Sequence, residues 1–218
     1  MQEIKIIGSG VAGLCVAKEL SDKGLKVLVI DKTDSPGPQS CSWWAGGMLA
    51  PWCEGESAEN IVVKLGKESI PWWSKNVDGV IKKGSLVIAL SRDEPDLNRF
   101  GRRTEEFINV DNDEIGRLEP DLKDRFNKGL YFENEAHLSP RETLNSLKKD
   151  LLSKGVIFEK KEFNFSSDLN NNQDLIIDCR GLGSKDIQKD LRGVKGEMLI
   201  IYCPEINFTR PIRLLHPR

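Results

Sequence analysis

IKIIGSGVAGLCVAKELSDKGLKVLVID, residues Ile4 to Asp31, reads as a strand, a glycine turn, a helix and a second strand closed by an acid. The turn, Gly8-Ser9-Gly10-Val11-Ala12-Gly13, has the form G-x-G-x-x-G, a pattern with little meaning outside a strand-turn-helix context. That context is present. Ile4, Ile6 and Ile7 lead into the turn, and Gly13, Val16, Ala17 and Leu20 leave it at the spacing of one helical face. Gly24 is placed to stop the helix, and the apolar run Val27-Leu28-Val29-Ile30 then ends at Asp31.

Each of these residue types answers a physical need. Gly8 permits the tight turn, Gly10 lets backbone N–H groups approach a pyrophosphate, and Gly13 lets helix and sheet pack closely. The helix N-terminus offers unpaired N–H groups and a partial positive charge to phosphates. Asp31 stands about 20 residues on, where a carboxylate accepts hydrogen bonds from ribose hydroxyls. The stretch therefore predicts a dinucleotide site, with the choice between NAD and FAD open at this point.

Outward from Asp31, a Pro-, Gly- and Ser-rich loop (32–40) leads to Ser42-Trp43-Trp44-Ala45-Gly46-Gly47-Met48-Leu49-Ala50-Pro51-Trp52. Paired glycines beside three tryptophans fit backbone passing close to a large flat group, or an ordinary aromatic loop. Residues 57–75 have helical spacing, with Ile61, Val62, Leu65, Trp72 and Trp73 apolar and Pro71 expected to kink or restart the helix. Residues 84–90 and 130–132 read as strands, and 95–107 and 113–118 as polar helices. Ser139-Pro140-Arg141-Glu142 is a helix start with Leu144, Leu147 and Leu151 as the apolar face and Gly155 as the stop. Strands follow at 156–163 and 174–179, separated by a turn at Asn170-Asn171-Asn172. The second of them runs into the glycine turn Cys179-Arg180-Gly181-Leu182-Gly183. Alternation at Met198–Tyr202 and Ile212–Leu215 predicts antiparallel strands. Together these predict a sheet assembled from distant segments, interleaved with a more antiparallel layer from 40–53, 84–91 and 195–215.

Composition narrows the class. The chain has 218 residues and a formal charge of −2, a balance that argues against a nucleic-acid surface. It has no run of about 18 apolar residues, so no membrane span is expected. The first strand begins close to Met1, which leaves no room for a signal peptide and predicts a cytoplasmic protein. Five scattered cysteines, without a C-x-x-C pair, read as reduced thiols. His137 and His216 are the only histidines, too few for a metal site or a Ser-His-Asp triad without better company.

The chain resembles the flavin-dependent D-amino-acid oxidase superfamily, and within it the glycine oxidases of thiamine biosynthesis. The resemblance lies in the motif 8–13 with Asp31, in Ser42–Pro51, in Ala136-His137-Leu138-Ser139-Pro140-Arg141 and in Asp178–Gly183. Arg192–Met198 and Arg210–Arg218 complete it. It implies an α/β fold: a Rossmann-like FAD-binding domain (1–80 with 130–193) interleaved with an incomplete antiparallel substrate domain (81–129 with 194–218).

By resemblance the dinucleotide is FAD. Gly8, Gly10, Val11, Ala12 and Gly13 would hold the pyrophosphate, and Asp31 and Lys32 the adenosine side. Phe163 would offer backbone to adenine. Ser42, Ala45, Gly46, Gly47 and Met48 would pass along the isoalloxazine, with Met48 at the edge of the substrate cavity. Cys179, Arg180 and Gly181 would approach from the other side. In such enzymes the amine gives a hydride to the flavin, the imine hydrolyses or passes to thiazole synthesis, and dioxygen is reduced to hydrogen peroxide. The cofactor carries the chemistry, so no protein acid or base is expected as catalytic residue and no metal is required.

The resemblance implies glycine and dioxygen as small-molecule partners and a homo-oligomer, relatives being commonly tetramers. It also implies that relatives continue past Arg218 into the rest of the substrate sheet, the arginine that binds the substrate carboxylate and the last FAD loop. A truncated chain that gives no glycine-dependent peroxide by itself is thus expected. Alternatives are a D-amino-acid or sarcosine oxidase-like flavoenzyme, an inactive FAD-binding fragment and, on the first motif alone, an NAD-dependent dehydrogenase.

Overall fold

The computed structural model describes residues 3–34, 36–168 and 175–216. In chain order the helices are α1 (Val11–Asp22), α2 (Pro51–Glu54), α3 (Asn60–Asn76), α4 (Glu94–Gly101), α5 (Asn112–Leu118) and α6 (Pro140–Ser153). The strands are β1 (Ile4–Ile7), β2 (Val27–Asp31), β3 (Met48–Leu49), β4 (Ser85–Ala89) and β5 (Ile108–Asp111). They continue with β6 (Lys128–Phe132), β7 (Ala136–His137), β8 (Ile157–Lys160), β9 (Leu175–Asp178) and β10 (Ile212–Leu215). Among the described residues no helix is long and apolar enough to cross a membrane.

The chain divides into two compact units, 1–46 with 140–199 and 47–139 with 200–218. In the first unit the sheet order among described residues is β8-β2-β1-β9, all parallel. β1 lies between β2, reached through α1, and β9, which arrives from far along the chain. The inner strands β1 and β2 are largely buried, whereas the edge strands β8 and β9 are partly exposed. Ile6 and Val29 are fully buried, and Ile7 and Ile30 form a cluster with Phe163. Gly24, at φ +74, ends α1 with its N–H on the Ser21 carbonyl, a conformation that favours glycine. α1 packs on α6. Lys18, nearly buried between them, pairs with Asp22 at 2.5 Å and Asp150 at 3.4 Å, while Lys154 bridges the same two acids.

The second unit has a sheet in the order β10-β4-β6-β5, in which β6 runs antiparallel to both neighbours and β10 runs parallel to β4. β4 is buried along its whole length, and its alternation serves two cores. Val87 and Ala89 pack with Cys53, Leu97, Phe100 and Phe132 on one face. Leu86 and Ile88 pack with Val110, Ile115 and Leu122 on the other. β10 is seated by a buried ion pair. Glu119, with no exposed surface, accepts Arg210 Nε–H at 2.8 Å together with the backbone N–H and hydroxyl of Thr209. Arg210 also donates to the carbonyls of Lys83 and Leu118. A separate ribbon pairs Met48 with His137 and Leu49 with Ala136.

Several expectations are corrected. The units are divided at 46/47 and 139/140 rather than near 80 and 130: β6 pairs with β4, and β3 with β7, so those segments join the second unit. β10 is parallel, not antiparallel, and Met198–Tyr202 forms no strand: the segment is exposed, without a sheet partner among the described residues. α3 is continuous through Pro71. The carbonyl that proline leaves without a donor, that of Lys67, belongs to an exposed residue open to water. On α3 only Ile70 is buried, whereas Ile61, Val62 and Leu65 of the expected apolar face are exposed. The turn expected at Asn170-Asn171-Asn172 lies outside the described residues.

Candidate functional site, a dinucleotide cradle

A cavity of about 950 Å³ opens at the carboxyl ends of β1, β2 and β9. Ligands of open parallel sheets gather where successive connections leave in opposite directions, and β1 with neighbours on both sides provides that point. The volume lies at the upper end of the roughly 300–1,000 Å³ usual for small-molecule and cofactor sites.

The floor is the glycine turn. Gly8 has φ +100, and a Cβ there would stand 2.6 Å from the carbonyl oxygen of Cys179. A Cβ on Gly13 would stand 1.9 Å from the carbonyl oxygen of Gly8. Both positions therefore require glycine for packing, and Gly13 lies behind the cavity rather than on it. Gly10 differs: a Cβ there would meet only the Ser42 and Ser40 hydroxyls, at 3.3 and 3.4 Å. Gly10, Val11 and Ala12 line the cavity at the start of α1, where N–H groups lack helical partners. The Val11 N–H donates to Ser42 Oγ at 3.0 Å.

Asp31 closes one wall. Its Oδ2 accepts the N–H and hydroxyl of Ser9, each at 2.8 Å, and its Oδ1 accepts the N–H and hydroxyl of Thr33 at 3.0 and 2.9 Å. Burial alone raises this acid, but the four hydrogen bonds outweigh it and hold Asp31 below the usual carboxylate range. It is thus an anion at neutral pH. Lys32, exposed, lines the same wall. Phe163 also lines the cavity, and its side chain is packed against Ile7 and Ile30.

The opposite wall is the turn after β9. Cys179 is tied to β1 through its N–H on the Ile7 carbonyl at 2.7 Å. Arg180 lines the cavity with its charge already matched: Nε and Nη2 fork onto Asp178 at 3.0 and 2.8 Å, and Nη1 and Nη2 reach Asp186 at 3.0 and 2.9 Å. Those bonds hold the guanidinium protonated, and it lies over the Phe165 ring at 4.5 Å. Gly181, at φ +58, begins the short helix Gly181–Asp186.

The cavity thus gathers Gly8, Gly10, Val11, Ala12, Asp31, Lys32, Ser42, Phe163, Cys179, Arg180 and Gly181 from a list read off the sequence. Ser42, expected along the isoalloxazine, accepts the Val11 N–H at the start of α1. Ala45 and Gly46 are exposed in the first unit and do not line this cavity; Gly47 and Met48 belong to the second unit. Sequence reasoning missed Ser9, Thr33 and Ser40. Thr33 carried a signal, because a hydroxyl and N–H two residues after an Asp is the spacing of a local side-chain turn.

A donor-lined helix start, a glycine open to the cavity and an anionic carboxylate beyond it suit the pyrophosphate and ribose of a dinucleotide. The protein-family description "FAD dependent oxidoreductase" matches residues 3–217. This chain is a member of the FAD dependent oxidoreductase family. It is 42% identical over 222 residues to a protein of Rhizobium etli provisionally named thiamine biosynthesis oxidoreductase ThiO, covering 99% of this chain and 65% of that protein. The chain thus spans less than two-thirds of the length of that relative. Among solved structures, iminodiacetate oxidase from Chelativorans sp. aligns with TM-score 0.65 and 22% identity over 85% of this chain and 57% of its own. Glycine oxidase from Bacillus cereus aligns with TM-score 0.60 and 22% identity over 73% and 46%. L-alpha-glycerophosphate oxidase from Mycoplasma pneumoniae, solved with FAD bound, aligns with TM-score 0.68 and 18% identity over 98% and 65%. At these identities the structures speak for the fold. Within the FAD dependent oxidoreductase family the cradle residues fit the adenosine and pyrophosphate portions of FAD, since Gly10 sets no side chain before the N–H groups at the helix start.

Proposed function

We propose that this protein is the FAD-bearing part of a glycine oxidase that serves thiazole formation in thiamine biosynthesis. The observation that carries the proposal is the cradle running from Asp31 across Gly10 to Arg180, in a chain 42% identical to ThiO. FAD, when bound, supplies the acceptor for the two electrons of amine oxidation. The protein's residues bind and orient it. Asp31 and its neighbour Lys32 hold the adenosine ribose side, and the Phe163 backbone meets adenine. Gly8, Gly10, Val11 and Ala12 present backbone to the pyrophosphate, with Gly13 as the packing glycine behind them. Ala45, Gly46 and Gly47 offer Cβ-poor backbone to the ring system, and Met48 borders the substrate. Cys179, Arg180 and Gly181 close the far side. A cytoplasmic site of action goes with the free thiols of all five cysteines.

The test uses the protein as its organism makes it, purified with FAD. Bound-flavin absorption and peroxide release that depends on glycine, faster than with sarcosine or D-alanine, are expected. Protein that takes up no FAD removes the cofactor assignment, whereas a flavoprotein that prefers sarcosine or a D-amino acid removes only the substrate assignment.

A further inference from the structure

Arg141 stands outside the cavity, at the start of α6, yet its contacts lead to the pyrophosphate end of it. Its Cζ lies 5.4 Å from the Trp43 ring centroid and 4.9 Å from that of Trp44, and its Nε donates to the Trp43 carbonyl oxygen at 3.4 Å. Trp43 and Trp44 are the last two residues of the 3₁₀ helix Cys41–Trp44. On its far side the Trp44 indole N–H donates to the Pro38 carbonyl at 2.7 Å. The same helix begins with Ser40 Oγ accepting the Ser42 N–H at 3.2 Å, and Ser42 Oγ accepts the Val11 N–H at 3.0 Å.

We propose that Arg141 is a positioning residue for the cofactor: clasped by Trp43 and Trp44, it holds the helix that sets the Ser40 and Ser42 hydroxyls over Gly10 and the first N–H of α1. The proposal rests on the FAD reading of the cradle. Its physical basis is the fit of residue types. The stretch before it is rich in Pro, Gly and Ser, and residues 32–34 and 36–40 have turns and bends rather than regular structure, so an external restraint on the helix that follows limits its motion. A planar guanidinium supplies one, since it stacks on aromatic rings while keeping a directed Nε–H for the carbonyl; an ammonium has no such fork. Ser42 is suited to what it faces. A hydroxyl both accepts and donates, so Oγ can cap the Val11 N–H and also give its proton to a phosphate oxygen. Arg141 therefore acts on the cofactor only through the serines, and the effect should disappear when Ser42 cannot transmit it.

The experiment measures FAD affinity by flavin fluorescence for wild type, Arg141→Ala, Arg141→Lys, Ser42→Ala and the double variant Arg141→Ala/Ser42→Ala. Hydrogen exchange at the Val11 amide of FAD-free protein is followed alongside. Each alanine variant should weaken FAD about three- to tenfold, the scale of one hydrogen bond, and the double variant should be no weaker than the worse single one. Val11 exchange should quicken in both single alanine variants while the middle of α1 keeps wild-type protection. Lysine should restore little of either property. If Arg141→Ala fails to fold, the cycle is run with Arg141→Lys in its place. Multiplicative losses in the double variant, or Arg141 variants with wild-type affinity and wild-type Val11 exchange, overturn the proposal. Wild-type protein that binds no FAD while Val11 exchange still responds to Arg141 overturns the FAD reading instead.

Discussion

The carbonyl oxygen of Gly8 stands 1.9 Å from the point a Cβ would occupy on Gly13. One end of the nucleotide turn is thus packed backbone to backbone on the other, and α1 cannot carry any side chain at its third residue without moving. Gly13→Ala should lower stability by about 1–3 kcal/mol, the usual range for inserting atoms into a filled site. Urea unfolding with an unchanged slope and a lower midpoint is expected. A wild-type midpoint would show that the turn relaxes freely.

Asp31→Asn addresses the next contact. An amide nitrogen cannot accept from Ser9 or Thr33, so one pair of donors loses its acceptor, at about 1–3 kcal/mol for a buried site and toward the lower figure for this half-buried one. The sign of the pH effect follows from the depressed acid. Its stabilisation is complete above the ordinary aspartate value of 3.8 and is lost as pH falls below it through the folded-state value. The variant should therefore start less stable at neutral pH and show a shallower acid limb in denaturation curves between about pH 5 and pH 2. An acid limb identical to wild type would contradict this assignment.

Glu135 should do the reverse. It is fully buried and accepts the Cys53 N–H at 2.7 Å and the Ser85 hydroxyl; burial pushes it from 4.5 up to about 7, against those hydrogen bonds. A raised acid binds its proton in the folded state where the unfolded chain has released it. Its contribution to stability is therefore full below 4.5 and declines as pH rises through about 7. Glu135→Gln keeps an acceptor for Cys53, while its amide N–H can donate to the Ser85 hydroxyl, which turns from donor to acceptor, and the change should abolish that decline. What remains should slope the other way near neutrality, because burial lowers His137 below 6.5 and a lowered histidine loses stabilisation as pH falls. Urea midpoints measured across this range, wild type beside variant, decide the matter; parallel curves would refute it.

The thiols give a chemical check. Cys41 and Cys203 are exposed, while burial raises Cys15 and Cys53 to about 12 and so keeps them protonated. Brief iodoacetamide treatment read by peptide mass should label the first two fast and the latter two slowly. Cys41 also lines the cradle. FAD at saturation should slow Cys41 and leave Cys203 unchanged, and equal rates with and without FAD would place the cofactor elsewhere.

Local chemistry accounts for what was legible in the chain. The turn 8–13, the helix stop at Gly24 and the leucine face of α6 each follow from residues within a few positions of one another, and the structure has them where the spacing puts them. Asp31 was legible by its distance from the glycines and Thr33 by standing two residues after it, but the partner Ser9 depends on how two strand ends meet. Glu119 and Arg210 were not legible at all. They are 91 residues apart, and nothing around either marks a partner. The same holds for β10, whose alternation fits a strand of either direction, and for Met198–Tyr202, whose apolar pattern finds no neighbour among the described residues. Pairing across long separations is set by tertiary packing, to which period and propensity are blind.

The central place of β1 has a consequence for synthesis. β1 gains β2 within a few dozen residues of its own synthesis, but Ile4 pairs on its other side with Leu175. At elongation rates of about 5–20 residues per second, roughly 10–35 seconds pass before that second neighbour exists. Throughout that interval a row of apolar, unsatisfied backbone stands open to any other extended segment. The strand that anchors the nucleotide turn thus waits long for its second neighbour, and chaperone cover on that side would protect the growing polypeptide.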